Sequence, residues 1–87
     1  MTTSAAPPRI APGFRLQFEP AQDTWVLLYP EGMVKLNGPA AEILQRCNGS
    51  TSVEALTADL ERSFGEQNLR ADVDDFLLDA RSRGWIA

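Results

Sequence analysis

Apolar and polar positions alternate over Phe14-Arg15-Leu16-Gln17-Phe18-Glu19, the period of two that marks a strand with one buried face. Pro20-Ala21-Gln22-Asp23 breaks the pattern as a turn, and Thr24-Trp25-Val26-Leu27-Leu28-Tyr29 follows as a nearly continuous apolar run. That run is short, β-branched and aromatic, which predicts a second strand rather than a helix. Pro30-Glu31-Gly32 predicts a tight hairpin, because proline presets the first turn position and glycine accepts conformations other residues resist. Met33-Val34-Lys35-Leu36 returns as a third strand, completing an antiparallel meander.

Beyond Leu36 the apolar period lengthens. Ala40, Ile43, Leu44 and Cys47 recur at i, i+3, i+4 and i+7, one face of a helix that begins at Asn37-Gly38-Pro39 and ends at Asn48-Gly49. Thr51-Ser52-Val53-Glu54 fits a capping box, with Thr51 as the cap of a second helix. Val53, Leu56, Leu60 and Phe64 form the buried face of that helix, and Gly65 stops it. A third helix is predicted from Ala71 to Arg83, with Val73, Phe76, Leu77 and Ala80 inward and Trp85-Ile86 folding back as an apolar plug. The order is an α+β fold: a three-stranded antiparallel meander followed by three helices, a winged helix-turn-helix-like arrangement. Residues 1–13, rich in Thr, Ser, Ala and Pro, read as a flexible tail, leaving residues 14–87 as the folded domain.

Composition then narrows the function. With 87 residues there is one small core and no room for a deep cleft. There is no histidine, which removes the commonest general base and the commonest metal ligand. Cys47 is the only cysteine, so an internal disulfide and a thiolate zinc site are both excluded. No apolar run is long enough to span a bilayer, and the first dozen residues lack the basic start and apolar stretch of a secretory signal. A cytoplasmic domain without cofactor, metal or membrane partner is the expectation. The formal charge of −4 lies wholly in residues 48–87, where eight acidic groups meet four basic ones. A nucleic-acid binder needs the opposite bias on its recognition element.

Few residues offer chemistry. Cys47 lies on an apolar face with no activating partner and is assigned to packing. Asp72, Asp74, Asp75 and Asp79 lack calcium-loop spacing and read as a solvated face. Trp25 and Trp85 sit where aromatic residues fill core rather than stack a ligand. Leu78 is different: on a helical wheel it lies about 140° from Val73, off the core stripe, flanked by Asp74 and Arg81. Met33-Val34-Lys35-Leu36, if outermost in the meander, presents unpaired main-chain groups. These either are guarded by Lys35 against aggregation or capture an extended peptide. Residue pattern alone leaves both alternatives open.

Leu27-Leu28-Tyr29-Pro30-Glu31-Gly32, then Leu36-Asn37, Ile43-Leu44, Cys47-Asn48-Gly49, Val53, Asp72-Val73, Phe76-Leu77 and Gly84-Trp85-Ile86 together resemble the PqqD family of pyrroloquinoline quinone biosynthesis. The match runs from about Pro8 to the C-terminus, and the LLYPEG block followed by LN is its most specific part. The resemblance implies a non-enzymatic peptide chaperone with a winged-helix recognition fold. It implies that the ribosomal precursor peptide PqqA is bound and delivered to PqqE, a radical S-adenosylmethionine enzyme. In similar recognition domains the peptide adds a strand beside the third strand, its apolar side chains against the third helix. Carried onto this sequence, that implies Met33, Val34, Lys35 and Leu36, with Asp74, Leu78 and Arg81, as the peptide-binding residues.

A DNA-binding winged helix is the alternative of another class, which the topology permits and the acidic helices oppose. A monomer is expected in solution, with strand exchange between copies as the route to a dimer.

Overall fold

The alternation over residues 15–35 does form a meander. In a computed structural model that describes residues 6–87, β1 (Arg15–Glu19), β2 (Thr24–Tyr29) and β3 (Gly32–Lys35) pair antiparallel in the order β1-β2-β3. Leu16 pairs with Leu27 and Leu27 with Val34, so these three side chains share one face of the sheet. Trp25 and Leu36 share it too, and Leu27 and Leu36 belong to the buried core. Val26 points to the other face, in register with Gln17 and Lys35, and is nonetheless fully buried. That explains why the β2 run is apolar at successive positions.

Three helices follow, α1 (Gly38–Gln45), α2 (Val53–Phe64) and α3 (Arg70–Ser82), with α1 packed on β2, α2 on α1 and α3 on α2. The architecture is the expected α+β arrangement. Asn37 caps α1, its Oδ1 accepting the Ala40 N–H at 2.8 Å. The cap of α2 is Ser52, not Thr51. Asn48 Oδ1 already accepts the N–H groups of Ser50 and Thr51, closing a turn that holds Thr51 outside the helix. Ser52 Oγ then accepts from Ala55 N at 3.0 Å. Gly65 ends α2 in the left-handed conformation, φ +64°, as its chemistry allows. The core gathers Leu27, Leu44, Leu56, Val73 and Ala80, with Ile86 returning against it.

Three inward assignments change, Val53 being only half-buried beside the core. Phe76 is only half-buried, its ring 6.5 Å from that of Trp85, and Phe64 is 52% exposed. Cys47 lies just past the end of α1, its N–H bonded to Leu44 O, and is 4% exposed, a packing residue as expected.

The tail assignment is also corrected. Residues 1–5 lie outside the described residues, but Pro8 to Ala11 are docked. Gly49 N donates to Pro8 O, Ala87 N to Arg9 O and Ala11 N to Trp85 O, each at 2.9 Å. Arg9 and Ile10 form isolated antiparallel bridges with Asn48 and Ile86. Gly49 suits this junction because a side chain there meets Arg9 Cβ at 3.4 Å, and its φ is +79°. The segment is anchored by long-range bridges that four residues of sequence do not announce.

Candidate functional site

A strand edge offers a partner only the main-chain groups that its own sheet leaves free. Strand order makes β3 an edge. Its parity is fixed by one bond: Leu36 N donates to Trp25 O at 3.0 Å. Main-chain groups in an antiparallel strand alternate sides, so Val34 and Leu36 turn their N–H and C=O toward β2. Met33 and Lys35 turn theirs outward. The main-chain capacity expected of Met33–Leu36 therefore rests on two residues, while Val34 and Leu36 contribute side chains on the helix-covered face. Met33 is 47% exposed and Lys35 is exposed; Val34 is half-buried and Leu36 buried.

On α3, Leu78 is 71% exposed, the most exposed large apolar side chain among the described residues. Asp74 Oδ1 accepts from Arg70 Nε at 3.0 Å, so its charge is partly neutralised by its own helix. Arg81 stands on the same flank, and its positive charge reaches Cys47. Burial pushes the Cys47 thiol up to about 11 and outweighs that charge. Such a thiol is a poor nucleophile.

An apolar groove of about 480 Å³ opens on the other flank of α3, where Leu69 and Asp72 project. Its floor is Ile43, Leu60 and Val73, all buried, and its walls are Pro39, Phe64 and Leu69. Glu42, Glu66 and Asp72 complete the lining with carboxylates. Glu42 is engaged by Arg46 at 2.9 Å; Glu66 and Asp72 have no ion-pair partner among the described residues. Arg46 also sets the spacing of the helices that frame the groove. It bonds Glu42 O at the end of α1 and reaches Asp59 Oδ2 of α2 at 2.6 Å. Burial works against its charge, yet Glu42 and Asp59 raise its pKa; in return, the hydrogen bond from Arg46 holds the Asp59 carboxyl below its usual range. The periodicity of α2 placed Phe64 with the core, so the groove had no sequence signal of its own.

Among the described residues no cluster of His, Cys, Asp and Glu is arranged to hold a metal ion, and no helix is long and apolar enough to cross a membrane. The chain is thus a small α+β domain, a three-stranded antiparallel meander followed by three helices, with an open strand edge and an acid-rimmed apolar groove. The family of Coenzyme PQQ synthesis protein D (PqqD) matches residues 24–86, and the chain belongs to that family. Relatives include a protein of Azotobacter vinelandii named PqqA binding protein, 51% identical over 91% of this chain and 87% of its own length. A Pseudomonas aeruginosa protein of the same name is 50% identical over the same shares. The solution NMR structure of the PqqD part of Methylobacterium extorquens PqqCD, described as a recognition element for ribosomally synthesized, post-translationally modified peptides, superposes with a TM-score of 0.76. It is 24% identical, with 92% of this chain and 87% of that one covered, and it shares this fold.

Proposed function

We propose that this chain is a non-catalytic peptide chaperone of pyrroloquinoline quinone biosynthesis that binds the precursor peptide PqqA and presents it to the radical S-adenosylmethionine enzyme PqqE. The observation that carries this is the open edge of β3, with Met33 and Lys35 aimed outward beside an α-helical layer that leaves apolar surface uncovered. Relatives about half identical to the chain are named for binding PqqA. An extended peptide gains main-chain hydrogen bonds from such an edge without any particular sequence, and gains specificity from pockets for alternate side chains. The backbone of the peptide lies along Met33–Leu36, and its inward side chains turn toward α3. Two apolar features await them there: Leu78 between Asp74 and Arg81 on one flank, and the groove on the other. On this reading, modification of the peptide belongs to the partner enzyme.

DNA recognition is disfavoured by α3 itself, which carries Asp72, Asp74, Asp75 and Asp79 against Arg70 and Arg81. Calorimetric titration of the A. vinelandii PqqA peptide into this protein tests the proposal. Saturable one-to-one binding is expected, and absence of heat and of any NMR perturbation at high peptide concentration refutes it.

A further inference from the structure

The groove and the β3 edge are not independent features. β3 ends at Lys35, Leu36 is the last residue bonded to β2, and Gly38 and Pro39, which line the groove, follow within three positions. A strand advances about 3.3 Å per residue, so two or three residues of a peptide continuing past Leu36 span the interval that separates Leu36 from the groove-lining Gly38 and Pro39 along this chain. Leu36 also marks the face: its side chain is on the helix side, and a neighbouring strand sends alternate side chains to that same side. Opposite, the flank carrying Leu78 presents one apolar side chain that is 71% exposed, while the groove offers apolar walls over a buried floor.

Resting on the peptide-binding reading above, we infer that the α1–α2–α3 groove, and not the Asp74–Leu78–Arg81 flank, seats a large apolar anchor residue of the bound peptide, and that Glu66 and Asp72 select a lysine or arginine next to that anchor. The charge of the rim carries the second half of this inference. Glu42 is already paired with Arg46, whereas Glu66 and Asp72, three positions before and after Leu69 in the chain, are exposed carboxylates without an ion-pair partner among the described residues. An apolar anchor followed by an acidic residue brings like charges together at this rim; one followed by a basic residue brings opposite charges together. The groove thereby sets both the residue type and the place of the anchor: beyond the end of the strand pairing, toward the C-terminal side of β3.

Phe64 and Asp72 suit a test because both are exposed and can change without opening the core. The A. vinelandii PqqA peptide is titrated into the parent and into Phe64→Ser, Asp72→Lys, Leu78→Glu and Lys35→Pro, with circular dichroism confirming each fold. Expected are at least tenfold weaker binding for Phe64→Ser, weaker binding for Asp72→Lys with a shallower salt dependence, and a smaller loss for Leu78→Glu than for Phe64→Ser. Parent-like binding by both groove variants while Lys35→Pro weakens overturns the groove assignment and leaves the strand-edge reading standing. Loss of binding in Leu78→Glu with the groove variants unaffected assigns the anchor to the other flank and likewise overturns it. Failure of the parent itself to bind the peptide removes the reading on which the inference rests, and the inference with it.

Discussion

Lys35→Pro separates the two sides of β3 in a single substitution. The Lys35 N–H faces away from β2 by the parity that the Leu36–Trp25 bond sets, so its removal breaks no ladder bond. Proline is tolerated on an edge strand in this situation, and the residue before it, Val34, already has the extended backbone that a following proline favours. The melting temperature is therefore expected to stay within a few degrees of the parent. Binding of a peptide strand is not spared. One main-chain hydrogen bond is lost, a net of about 0.5–1.5 kcal/mol, which weakens the dissociation constant roughly twofold to tenfold. The proline ring on the open edge adds a steric loss to that. Val34→Pro is the internal control. It deletes an inward donor and leaves the carbonyl of Leu27, a fully buried residue, without its partner, at about 1–3 kcal/mol. For a domain of this length that lowers the melting temperature by roughly 5–20 °C. Lys35→Ala, which keeps the N–H, binds like the parent. Paired calorimetry and thermal melts read all three variants. A folded Lys35→Pro protein with parent affinity, or a Val34→Pro protein with parent stability, refutes the parity and the strand-edge site together.

Leu27→Ala removes a fully buried side chain at the centre of the core and costs about 2–5 kcal/mol in urea unfolding; a smaller loss than that of half-buried Phe76→Ala contradicts the core assignment. With its thiol raised to about 11 by burial, Cys47 in the folded protein reacts with iodoacetamide at pH 8 roughly a hundredfold more slowly than in urea, as intact mass reports, and equal rates refute the packing role. Asp59→Ala lowers the melting temperature at pH 7. Because the Arg46 hydrogen bond depresses the Asp59 pKa, that stabilisation is present above the unfolded carboxylate value and is lost as pH falls through the folded one. The gap between parent and variant therefore closes below about pH 4, and a gap that persists in acid contradicts the clasp.

The elements with strong periodicity were legible from sequence. β2 occupies Thr24–Tyr29 as read, and α2 runs to Phe64 and stops at Gly65. Local chemistry with two candidates was less so: Thr51 and Ser52 are adjacent hydroxyl residues, and only the Asn48 turn decides which one caps α2. Docking of Pro8–Ala11 was not legible, since single bridges to Asn48 and Ile86 leave no period in a stretch whose composition resembles a tail. Neither was the groove. Phe64 follows Leu60 by one turn and so shares its face, but as the last residue of α2 it is 52% exposed and lines the groove as a wall. Of the site, the edge strand and the exposure of Leu78 were readable, whereas which main-chain groups point outward depended on a single cross-strand bond.

Amide hydrogen exchange, read residue by residue by NMR with and without the A. vinelandii PqqA peptide, tests the strand-edge claim most directly. In the free protein, Val34 and Leu36 are expected to be protected by β2 while Met33 and Lys35 exchange freely. At saturating peptide, Met33 and Lys35 are expected to slow by at least roughly tenfold as their outward N–H groups enter a new ladder. Saturation by calorimetry with unchanged exchange at both Met33 and Lys35 contradicts the account.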